Sequence, residues 1–140
     1  MSARYQSYEI LPHTADLKIR AYGSSLPELF IHALQGMFEM LYPHKKIPIT
    51  KVQRSVRVCS SKREYLLVEF LSECLYLSDV YDEAYDAAVI QAFSGTCIEA
   101  LIDGYSITGF GGQEIKAVTY HDINIECVNG VWQATVVFDI

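Results

Sequence analysis

No stretch of this chain approaches the roughly 20 apolar residues that cross a bilayer, and its opening, MSARYQSYEI, lacks the apolar run of a secretory signal. No membrane partner is expected. Basic residues are scarce: 11 Lys and Arg stand against 17 Asp and Glu, a formal net charge of −6. Such a surface does not neutralise phosphates, so nucleic acid is not expected as the main direct partner. An acidic protein can still serve RNA chemistry by docking on a basic protein. There are only four cysteines, Cys59, Cys74, Cys97 and Cys127, with no CxxC pair. Buried, reduced thiols are therefore expected, in a reducing compartment, the cytoplasm. The Gly109–Gly112 stretch, GFGG, has neither phosphate-binding glycine spacing and is not followed by a helix, so it is expected to be a turn. There is no GxSxG elbow and no cysteine with a suggestive histidine neighbour, which leaves a nucleophilic enzyme unsupported.

What is present is the pattern of one α+β domain over residues 1–140. Its 51% hydrophobic and 20% charged composition is that of a globular chain long enough to bury a real core. YEIL and LKIRAYG read as two strands, the second with Leu17, Ile19 and Ala21 alternating against Lys18, Arg20 and Tyr22. Ser25 and Glu28 form a capping box, with Pro27 in the first turn, ahead of an apolar stripe from Leu26 to Leu41. SVRVC reads as a strand. A second helix opens with Ser61 and Glu64 as its box and carries Leu67, Phe70, Leu71, Cys74 and Leu75 on one face. After it everything reads as sheet: a hairpin around Ser94–Gly95, a strand IKAVTYH, and a final hairpin through Asn129–Gly130. Two amphipathic helices packed on a mostly antiparallel sheet of about seven strands, in two layers, follow from this grouping. The lysines at 45, 46 and 51 read as a solvated loop.

Three short segments carry polar groups with chemical potential. His13 to Asp16, HTAD, falls between two strands and equally suits a turn that hydrogen-bonds itself. In KAVTYH, alternation places Lys116 and His121 on opposite faces of a strand. The closing ATVVFDI puts Asp139 beside the carboxylate of Ile140, two anions at a strand tip.

HTADLKI, YGSSLPELFIHALQGMFEML, YLLVEFLSECLYL, KAVTYH and the closing VVFDI, nearly end to end and in order, resemble the archease family. Phe70 and Ser72 depart from it, standing where the family often has Trp and Asn. The resemblance implies a non-enzymatic accessory protein of RtcB-type RNA ligases. It would promote their guanylylation by GTP and multiple turnover in tRNA splicing and RNA repair, with GTP and RNA met only through the ligase. It also implies a divalent metal held by Asp16, Asp139 and the terminal carboxylate of Ile140. An oxygen-only donor set suits a hard cation, Ca²⁺ or Mg²⁺, with Mn²⁺ a third option. His13, Lys116 and His121 are candidates for shaping the docking surface or orienting Asp16, with structural hydrogen bonding an equal reading. The other functions weighed are a chaperone-like modulator of tRNA-modifying enzymes such as a methyltransferase, and a metal-dependent hydrolase acting alone. An exposed sheet edge could also pair two copies of the chain into a homo-oligomer.

Overall fold

The computed structural model describes residues 6–11 and 16–140. In chain order these form β1 (Tyr8–Leu11), β2 (Leu17–Gly23), α1 (Leu26–Leu41), β3 (Pro43–Lys45), β4 (Lys51–Cys59), α2 (Arg63–Tyr81), β5 (Glu83–Phe93), β6 (Cys97–Phe110), β7 (Ala117–Val118), β8 (Asn124–Val128) and β9 (Val131–Asp139). The α+β class stands, with two helices on antiparallel sheets. Among the described residues the expected sheet of about seven strands is realised as nine strands, divided between two sheets. One runs β1-β2-β9, with β7 and β8 successive along the outer edge of β9; the other centres on β6, flanked by β5 on one side and by β4 and β3 on the other. The long β6 and β9 are the central strands, which is why short segments such as β3 and β7 suffice at their edges.

The local signals explain most boundaries. The Ser25 hydroxyl accepts from the Glu28 N–H at 3.2 Å, while the Glu28 carboxylate reaches the backbone and hydroxyl of Ser24. The first box is thus real but shifted by one residue on its return arm. The second does not form: α2 begins after Lys62, with no side-chain cap. Asn129 and Gly130 both take positive φ, 52° and 79°, the geometry of a two-residue hairpin turn, and β8 pairs β9 from Val128–Val131 outward. The IKAVTYH strand shrinks to Ala117–Val118; just after it the Thr119 N–H makes one more bond to the Val137 carbonyl, onto which the Thr119 hydroxyl also donates. GFGG is partly strand: Gly109 and Phe110 finish β6, and the N–H groups of Gly111 and Gly112 close onto the carbonyls of Tyr42 and Leu41. The lysine loop begins as β3, where Lys45 pairs with Ile107.

Both helices pack on both sheets, so one core serves the whole domain. Phe30 of α1 meets Phe70 of α2 at 5.9 Å between ring centroids and Phe93 of β5 at 5.1 Å, edge-on. On α1 the buried residues are those of the expected stripe, apart from Leu26 at its start and with Gly36 and Met40 added. On α2 burial is broader, taking in Leu66, Val68 and Ser78. The outer turn of that helix leaves Tyr76, Val80 and Tyr81 exposed.

The cysteine expectation needs correcting. Cys59 and Cys97 stand directly opposite each other at the end of the β4–β6 ladder and are joined as a disulfide. Cys127 is an exposed thiol and Cys74 a buried one, whose thiol burial pushes well above its ordinary pKa.

Candidate functional site

Register sets Asp16 and Asp139 at one end of a ladder. Leu17 pairs with Phe138 at the end of the β2–β9 ladder. Asp16 precedes the first of these and Asp139 follows the second, so the two residues leave the ladder at the same end. Across β9, Asp139 pairs with Ala117, and its carbonyl accepts the Lys116 N–H at 2.8 Å. Asp16 is partly buried; Asp139 and Ile140 are exposed, Ile140 to 37%. Adjacent strands lie about 4.8 Å apart.

The donor set fits a hard cation in kind, since all three groups are carboxylates. Among the described residues no group of three His, Cys, Asp or Glu side chains gathers anywhere.

The other candidates separate. His13 lies outside the described residues. Lys116 is exposed and sits beside Asp139 through its backbone. His121 is in the turn after β7, its imidazole 3.2 Å from the Asp122 carboxylate and both side chains largely exposed. The expectation that Lys116 and His121 occupy opposite faces of one strand is overturned, because neither lies in β7.

Beside Lys116 a groove of about 820 Å³ runs between α2 and the segment leading into β7. Leu75 and Ile115 supply apolar wall, and Tyr76, Asp79, Glu114 and Lys116 supply polar groups. Its far wall includes Ser78, only 1% exposed, whose hydroxyl has no hydrogen-bond partner among the described residues. Just beyond the groove, Tyr120 stacks edge-on against Tyr65 at 5.3 Å and points its hydroxyl at Glu69. Burial, and after it the Glu69 charge, hold the Tyr120 phenol above its ordinary pKa.

One polar cluster was not anticipated. Glu83, 3% exposed, takes a two-pronged hydrogen bond from Arg54 at 2.9 and 2.8 Å and a third from the Tyr85 hydroxyl at 2.7 Å. Arg54 in turn lies over the Tyr81 ring at 3.7 Å. The Arg54 guanidinium holds the Glu83 carboxyl below its usual range, against the opposing effect of burial, and Tyr85 adds to the lowering. Every member has a partner, so this cluster braces the start of β5 and offers no open valence. Nothing local in the YDEAYDA stretch marks Glu83 as buried; its partner is 29 residues away.

Fold and site together define a small α+β protein in which Asp16 and Asp139 flank one ladder end, with a mixed apolar and polar groove beside Lys116 and no assembled nucleophile among the described residues. The family model described as "Archease protein family (MTH1598/TM1083)" matches residues 8–140. The chain is 38% identical to the "Protein archease" of Methanosarcina mazei, over all of both chains, and 32% identical to that of Pyrococcus furiosus, over 96% of this chain and 99% of the relative. Its fold is similar to the solution structure of Methanobacterium thermoautotrophicum protein 1598, with TM-score 0.73 and 25% identity over 96% of this chain and 99% of that one. It is also similar to the crystal structure of an archease, described as a possible chaperone, from Thermotoga maritima, with TM-score 0.66 and 22% identity over 100% and 99% of the two chains. The chain belongs to the archease family.

Proposed function

We propose that this protein is a non-enzymatic accessory factor that activates an RtcB-type RNA ligase, promoting its guanylylation by GTP and its repeated turnover in tRNA splicing and RNA repair. In this reading Asp16, Asp139 and the carboxylate of Ile140 hold a divalent cation, Ca²⁺ or Mg²⁺ before Mn²⁺. The single observation that supports it most is the Leu17–Phe138 register, which sends both aspartates out of the same end of one ladder. Family membership supports the accessory role.

When bound, the cation would supply charge neutralisation and fixed geometry around phosphate oxygens. The chain's own residues do the rest. β2 and β9 fix the spacing of the two aspartates, and the mixed groove beside Lys116 offers a surface for the ligase. The net charge of −6 favours a basic docking partner and leaves RNA and GTP to it.

Mixing the protein substoichiometrically with the ligase and following GTP-dependent guanylylation tests the reading. The intact protein is expected to accelerate it, and Asp16→Ala to lower that acceleration by about 10-fold or more, the loss typical of a removed metal contact. Guanylylation indifferent to the protein would overturn the proposal. An Asp16→Ala variant as active as the parent would leave a docking-only role, as for a modulator of a tRNA methyltransferase.

A further inference from the structure

A second concave site lies at the C-terminal end of α1 and shares no residue with the acidic strand-end cluster. This cleft of about 420 Å³ is lined by Tyr8, Tyr42, Tyr85 and Tyr105, with the carboxylates of Glu39 and Asp86. No Lys, Arg or His is among the described residues that line it.

The members come from four elements: β1, α1 with its cap, β5 and β6. Tyr85 is fully buried, its hydroxyl on Glu83 and its ring edge-on to Phe38 at 5.4 Å, so it forms a rigid floor. Tyr8 of β1 lies against α1 at Gly36, where a Cβ would come within 3.0 Å of its ring. Tyr42 caps α1, with its carbonyl accepting the Gly111 N–H at 2.8 Å and its side chain 68% exposed. Asp86 is the extra residue of a bulge in β5, between the Tyr85–Gly104 and Ala87–Asp103 pairs, and its carbonyl accepts the Gln35 amide at 3.0 Å. Bulges of this kind re-aim a side chain out of the strand's alternation. The close approach of β5 and β6 that seats Asp86 near Tyr105 requires Gly104, where a Cβ would collide with the Ala84 carbonyl.

Aromatic faces attract cations within about 6 Å of the ring centre, and carboxylates add full negative charge. The molecule already uses this contact, once on a ring that lines the cleft. The Lys45 ammonium lies 4.7 Å from the Tyr105 centroid, and the Arg54 guanidinium 3.7 Å from that of Tyr81. Two carboxylates outweigh the single Lys45 ammonium held on the Tyr105 ring, so phosphates and other anions are disfavoured. A guanidinium satisfies both features at once, because its plane stacks on a ring while its N–H groups donate to carboxylates. The volume admits one such side chain with its stem. A chain of net charge −6 draws a basic surface toward it.

We infer that this tyrosine and carboxylate cleft binds an arginine side chain carried by a partner protein. It requires of the proposed function only that the partner be a protein, and it is independent of the metal.

The test is NMR titration of the full chain with acetyl-arginine amide and with acetyl-citrulline amide, which keeps the shape and loses the charge. Arginine amide is expected to shift resonances of Tyr8, Tyr42, Tyr105 and Asp86 and to bind about 10-fold tighter than citrulline amide, a difference of about 1.4 kcal/mol. Tyr42→Ala and Asp86→Asn should each weaken binding about 3- to 10-fold. Glu39→Gln, on an exposed helix position, supplies a variant whose folding is not at issue. Asp16→Ala should leave the titration unchanged, which separates failure here from failure of the metal reading. Equal response to the two amides, or arginine binding unaltered in both Asp86→Asn and Glu39→Gln, would overturn the inference. So would tighter binding of tetramethylammonium, which would assign the cleft to a quaternary ammonium ligand.

Discussion

Glu83 shows what a single residue contributes when its surroundings are decided by distant sequence. Held by Arg54 and Tyr85, its carboxyl is lowered from an ordinary value of 4.5. The folded state therefore favours the ionised form. That contribution is fully present above the unfolded value of about 4.5 and is lost as pH falls through the lower folded value. Glu83→Gln is expected to cost roughly 2 kcal/mol near neutral pH, the scale of hydrogen bonds to a charged group. The gap between variant and parent should close as pH falls below the unfolded value of about 4.5 and through the lower folded value, where the parent's own carboxyl becomes neutral. Urea unfolding of both proteins across that range checks it, and a gap that stayed constant with pH would show that Glu83 is not ionised in the fold. The residue could not be singled out from sequence, because its partner Arg54 lies on another strand, 29 residues away.

Among the elements, hairpins and helices were the most legible and lone strands the least. Ser25, Glu28 and the Leu29-to-Leu41 stripe all agree on α1, and Asn129–Gly130 fixes the β8–β9 register by local backbone geometry alone. β3 and β7, of three and two residues, have no periodicity to read and exist because β6 and β9 extend past their other partners. The Cys59–Cys97 bond belongs to this scale too. Each cysteine stands at one end of a legible strand, and only the β4–β6 register places them face to face. The bond closes a 38-residue separation containing α2 and β5, so its reduction is expected to destabilise the fold by about 3–4 kcal/mol in the chain-entropy account. A lower urea midpoint for the reduced protein, matched by the Cys59→Ser, Cys97→Ser double variant, is the outcome to look for. Identical midpoints would mean that the two sulfurs are not joined.

For the whole molecule, the decisive arrangement is that the two ends of the described chain share one sheet. β2 lies against β9, so Leu17, which follows Asp16, is paired with Phe138, two residues from Ile140. A short neutral tail added after Ile140 would convert the terminal carboxylate into a peptide carbonyl while leaving the β9 ladder intact. Such a tail is expected to weaken Ca²⁺ binding about 10-fold or more, whereas an N-terminal tag leaves it unchanged. Calorimetric titration of both forms measures this, and equal affinities would remove Ile140 from the ligand set. The tyrosine cleft also exists only at this scale, drawing on β1, α1, β5 and β6.

Sequence alone determined what depends on neighbours a few residues apart: the α1 cap and stripe, the two hairpin turns, the alternation of β2, and the oxygen-only character of the acidic groups. It also carried the family resemblance, through segments that keep their order along the chain. Tertiary structure alone decided what depends on pairing across the chain. That covers the division into two sheets, the Cys59–Cys97 contact, the burial of Glu83 against Arg54, and the shared ladder end of Asp16 and Asp139. The reason is physical: local backbone and side-chain preferences act within a turn or two of chain, whereas register between distant strands is set by how one common core is filled.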